Sequence, residues 1–87
     1  ANELSRMYEE TLSEYIDVVA DYQRRAGNYD SAANLYKELA QKSSSSQIKA
    51  LNKLKESAIY LEKGAHTGDV KDYEEAIKFY ENNKEKF

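Results

Sequence analysis

Three positions in this chain, Gly27, Gly64 and Gly68, hold the residue that turns a backbone freely, and none holds proline. A β-rich domain needs turn residues every few positions, so a chain punctuated only there has to be built from long helices. The glycines also divide it, Gly27 after "ADYQRRA" and the other pair around "AHT". At 87 residues the expectation is a single helical domain over 1–87, near the lower limit for a self-sufficient core.

Hydrophobic spacing places the helices. Leu4, Tyr8, Leu12, Tyr15, Val19, Tyr22 and Ala26 recur at steps of four and three, and Met7, Ile16 and Val18 widen the stripe. This predicts a first helix over 3–26, capped by Asn2, with Glu3 at the positive end of its dipole and Arg24 and Arg25 at the other. Gly27 then takes the left-handed position that ends it. A second helix, capped by Asn28 or Asp30, presents Tyr29, Ala32, Ala33, Tyr36, Leu39 and Ala40 on one face. It fades near Lys42, where "SSSS" at 43–46 competes for backbone hydrogen bonds.

The serines read as a flexible linker, with Ser45 or Ser46 capping the next helix. Ile48, Leu51, Leu54, Ala58 and Leu61 predict this third helix over 47–63, broken by "GAHTG". Val70, Tyr73, Ala76, Ile77 and Tyr80 predict a fourth over 70–84, with Asp69 and Asp72 at its start and Lys84 and Lys86 near its end. The expected fold class is all-α: four antiparallel helices as two hairpins, 3–42 and 47–84, joined by the linker.

Charge and composition narrow the function. The formal net charge of -3 gives no general attraction to nucleic acid or anionic lipid. No cysteine is present, which excludes disulfides, thiolate metal sites and thiol catalysis. No apolar run approaches the ~18 residues that would insert into a bilayer. The opening "ANELSRMYEE" lacks a leader pattern, and a start at Ala1 is expected of an excised or processed piece. The single histidine, His66, reads as a surface residue. No phosphate loop, nucleophile motif or metal-ligand spacing occurs, so the expectation is a non-enzyme without cofactor or metal.

Two segments share a pattern. Tyr29, Ala32 and Tyr36 recur as Tyr73, Ala76 and Tyr80, 44 residues on, with alanine three after one tyrosine and four before the next. A small residue lets two helices approach, and the rings fill the space on either side. With Gly27 in front, the first copy resembles the second helix of the tetratricopeptide repeat, Gly-x-Tyr-x-x-Ala-x-x-x-Tyr. Ala20 then falls where that family prefers a small residue, and Ile16 and Val19 take its large apolar positions. Gln23 stands at the family's usual tyrosine site, Lys71 stands where the second copy would have glycine, and the family's period is about 34 residues. The resemblance implies a right-handed solenoid fragment or a small bundle. Residues 15–64 also look like the microtubule-interacting and trafficking domain, which implies a vesicle-trafficking adaptor. "ADYQRRAGNYDSA" is similar to hairpins of soluble attachment proteins.

Two surface patterns remain. Tyr8, Tyr15 and Tyr22 step by seven along one face of the first helix, expected as a packed seam, with an aromatic binding groove as the alternative. Glu10, Glu14, Asp17 and Asp21 form a second, nearly opposite stripe. The tetratricopeptide resemblance implies that Glu14, Asp17, Val18 and Asp21 line the concave groove, which would then take a basic or amphipathic peptide. The expected function is a protein-binding or scaffolding module. Part of a larger helical assembly, or a homodimer swapped through the serines, is the other expectation.

Overall fold

The first helix ends as its sequence demands. In the computed structural model, which describes residues 3–86, Gly27 has φ 86° and follows α1 (Glu3–Arg25). The Asn28 N–H reaches Gln23 O at 2.8 Å and the Gly27 N–H reaches Arg24 O at 3.0 Å, which closes the helix with a left-handed residue. The expected start cap, Asn2, lies outside the described residues. Then come α2 (Tyr29–Lys42), α3 (Ser46–Thr67), α4 (Val70–Asn83) and a short 3-10 turn (Lys84–Lys86). No strand occurs among the described residues, and none of the helices is long and apolar enough to cross a membrane. The expected all-α, four-helix class holds.

Caps explain most of the other boundaries. Ser45 Oγ accepts from the Ile48 N–H, and Asp69 Oδ1 accepts from the Lys71 N–H at 2.9 Å, so α3 and α4 start on side-chain caps. Asn28 holds the expected N-cap position of α2, but neither it nor Asp30 caps the helix with its side chain. Asn28 Nδ2 donates to Gln23 Oε1 instead, and Asp30 pairs with Lys63. The serine run is a hydrogen-bonded turn: Ser43 is buried, its Oγ accepts from the Ser45 N–H, and Ser44 Oγ donates to Glu9 of α1.

The expected break at Gly64 does not occur. The third helix runs through it to Thr67 and ends only at Gly68, φ 76°. Gly64 is buried mid-helix because α4 crosses there. A Cβ at that position would lie 3.2 Å from Tyr73 Cγ and 3.3 Å from Asp72 Cβ. Its hydrogen serves close approach rather than a turn.

Side-chain pairs give the topology. Tyr36 of α2 meets Asp17 of α1, Lys63 of α3 meets Asp30 of α2, and Lys63 also meets Asp72 of α4, so consecutive helices run antiparallel. Asp17 with Lys55 and Arg24 with Glu62 advance together, so α1 and α3 lie side by side in parallel. The molecule is a slab of 44 × 32 × 16 Å, two helix layers thick. Its core joins Ala20, Ala32, Ala33, Tyr36 and Ile59, with Ile16, Tyr29, Leu35 and Tyr60 against it.

Three expected inner faces are corrected. The α1 stripe splits: Leu12, Ile16 and Val19 are half-buried, whereas Leu4, Tyr8, Tyr15, Val18 and Tyr22 are 67–75% exposed, on a neighbouring face about 80° round the helix. The tyrosines are therefore no packed seam. On α3, Leu51, Leu54, Ala58 and Leu61 are exposed, while Asn52 and Ile59 are buried and Lys55 is half-buried. On α4, Ala76 is buried and Tyr73 half-buried, but Val70, Ile77 and Tyr80 are exposed. The reason is common to all three. Each helix carries more apolar surface than one neighbour covers, and the ends of a helix stack leave the remainder in solvent.

Candidate functional site

The acidic stripe is divided between inside and outside. Asp17 faces α2 and α3: Tyr36 Oη donates to Oδ1 at 3.0 Å, and Lys55 Nζ bonds both carboxylate oxygens at 2.9 and 3.1 Å. The same ammonium sits 5.6 Å from the Tyr36 ring centroid. Asp21 receives Arg24 Nη2 at 2.6 Å and Arg25 Nε at 2.8 Å, and Arg24 reaches across to Glu62 at 2.9 Å. The Arg24 hydrogen bond, with the Arg25 charge, holds the Asp21 carboxyl below its ordinary value. Glu14 and Val18 stay exposed. Of the four candidates, Asp17 joins α1 to α3, Asp21 is paired with arginines of its own helix and two face solvent, so they do not form one open acidic wall.

Tyr36 carries a titration consequence. Burial first, then the hydrogen bond to Asp17, pushes its phenol from 10.0 up to about 12. The neutral phenol is the form the fold favours, so its stabilisation is complete below pH 10 and is lost as pH rises through about 12. Tyr36→Phe removes both the titration and the hydrogen bond. It is expected to cost about 0.5–1.5 kcal/mol at neutral pH. Its urea midpoint should then fall less than the parent's between pH 8 and pH 11; parallel declines would contradict this role.

A polar cleft of about 380 Å³ lies where the two hairpin joints meet, lined by Tyr29, Asp30, Lys63, His66 and Thr67. Lys63 Nζ bonds Asp30 at 3.0 Å and lies 3.6 Å from Asp72, and the Asp30 bond raises its affinity for the proton. The His66 ring is 5.8 Å from that of Tyr29, tilted by 46°. These contacts tie α2, α3 and α4 together at one end.

Two open apolar features lie elsewhere. Between α3 and α4 runs a groove of about 310 Å³, lined by Leu54, Ala58, Leu61, Ala76, Ile77 and Tyr80. On the other side of the molecule is the exposed α1 stripe. Hydrophobic spacing alone assigns both to the interior. Tyr36 is 8% exposed and Tyr80 54%, although they occupy matching positions.

The hairpin motif residues fall in two matched sets. Ala20 is buried in α1 and Gly64, 44 positions on, is buried in α3. Tyr29, Ala32 and Leu35 are matched in burial by Tyr73, Ala76 and Phe79. In each hairpin a near-absent side chain on the first helix meets an aromatic on the second. Comparison with known proteins finds no family model, curated protein or solved structure that matches this chain.

Proposed function

We propose that this chain is a non-catalytic protein-docking module, built of two tetratricopeptide-like hairpins, that seats an amphipathic helix in the groove between α3 and α4. One observation carries the reading. The corresponding groove of the first hairpin is filled by a helix of the same chain: Ile59 of α3 is buried with Ala32, Ala33 and Tyr36. The second hairpin repeats the groove-forming positions and leaves them in solvent, with Ile77 and Leu61 exposed. The first groove holds a helix, and the apolar lining of the second, Leu54, Leu61 and Ile77, suits a helix that presents an apolar stripe. The binding face is thus apolar, since Asp17 and Asp21 are engaged with Lys55, Arg24 and Arg25.

The test uses a labelled synthetic helix of about 20 residues, with leucine at each heptad a and d position and Glu and Lys elsewhere. Fluorescence anisotropy should show saturable binding. Ile77→Glu and Leu61→Glu should each weaken it at least tenfold, while Glu14→Lys leaves it within about twofold. Binding abolished by Glu14→Lys and indifferent to Ile77→Glu would move the site to the acidic side and sink this reading.

A further inference from the structure

The 44-residue register can be followed along whole helices, and it sorts the surface into three sets. Leu12, Ser13, Ile16, Val19 and Ala20 of α1 and their matches in α3 (Glu56, Ser57, Tyr60, Lys63 and Gly64) are all buried or half-buried. These are the contacts within each hairpin. A second set is covered on α3 alone: Ile48, Asn52, Lys55, Ile59 and Glu62, the side of α3 that rests on the first hairpin. Their matches on α1 are Leu4, Tyr8, Thr11, Tyr15 and Val18, all exposed. The third set is covered on the first hairpin alone. Asp17, Ala33 and Tyr36 lie beneath α3, and their matches Leu61, Ile77 and Tyr80 line the open groove.

The exposed α1 stripe thus holds the positions by which α3 rests on the first hairpin, and the open groove holds the positions that α3 covers there. We propose that copies of this chain stack head to tail, the α1 stripe of one copy lying in the α3/α4 groove of the next. This names the partner for the docking reading above and rests on it. Chemistry favours α1 over other helices as occupant. Within the chain the interface is polar at its centre, Lys55 against Asp17. In the same register between copies, Leu61 would face Thr11 of the second copy. Tyr15 of that copy would take the place of Ile59 beside Ile77 and Tyr80. Both sides have lost charge together, Lys55 to Thr11 and Glu62 to Val18 on one, Asp17 to Leu61 on the other. Using a different patch on each copy, the contact does not close on itself and leaves both ends free to extend.

Sedimentation equilibrium over a wide concentration range tests this. The mean mass of the parent chain should climb past twice 10.0 kDa without levelling at a dimer. Val18→Glu on the stripe and Ile77→Glu in the groove change exposed residues, and circular dichroism should show both folded. Each alone should be a monomer. Mixed in equal amounts they should form two-chain complexes, because one retains the groove and the other the stripe. Dimers of Ile77→Glu alone would overturn the head-to-tail arrangement, and so would a mixture that stays monomeric. A parent chain that stays monomeric while its groove binds the leucine helix would overturn self-stacking and leave the docking module standing. Failure of both measurements would remove both.

Discussion

Replacing Ile59 by alanine is expected to cost about 2–5 kcal/mol, with the upper half of that range favoured by its surroundings. The other buried members of its cluster are three alanines and Tyr36, carried on helices held together by the hairpin joint. Alanines have no rotamers with which to fill a void, and the Asp17–Lys55 and Arg24–Glu62 pairs, already at contact distance, hold α1 and α3 at their present separation. A domain of this size has a margin of a few kcal/mol. The variant should therefore lose most of its cooperative unfolding transition in urea, followed by helical circular dichroism. Ile77→Ala is the control, since Ile77 is 56% exposed in the open groove. That change should stay within about 0.5 kcal/mol. Equal losses at the two isoleucines would mean that α3 does not rest on α2 in the way described.

The parts of the fold legible in the sequence are those decided within one turn of helix. Gly27 ends α1, Ser45 caps α3 and Asp69 caps α4, each through contacts no more than five residues away. The small-residue approach at Ala20 and Ala32 was legible too, because the tyrosine–alanine spacing recurs. What was not legible is sidedness. A helix apolar on two faces has the same periodicity whichever face is covered, and the choice is made by a neighbour far away in sequence. Thus Tyr15 and Ile59 match in register yet one is exposed and the other buried. Gly64 misled for the same reason: a glycine needed for close approach to Tyr73 looks like one needed for a turn. Of the acidic candidates, Asp17 depends on Lys55, 38 residues away, and the Arg24 that holds Asp21 reaches Glu62 at the same separation, which no local pattern announces.

Ala32→Leu is expected to destabilise the chain by roughly 1–3 kcal/mol, because added carbons at a fully covered position force helices apart. Ala32 is 0% exposed on α2, the helix that packs against both α1 and α3. Movement away from one neighbour drives α2 into the other. The matched change, Ala76→Leu, meets a different constraint. Ala76 is also buried, but α4 packs on α3 with no helix on its far side. It can tilt outward at the cost of little more than the Gly64–Tyr73 approach, and the expected loss is below about 1 kcal/mol. Urea midpoints of the two variants at low protein concentration measure the difference. The ordering is set by where the stack ends, so it should narrow when the groove beyond α4 is filled. At concentrations where copies stack, Ala76→Leu should cost more than it does in the monomer, and Ala32→Leu should cost the same. Equal losses in dilute solution would show that α4 is already clamped from both sides.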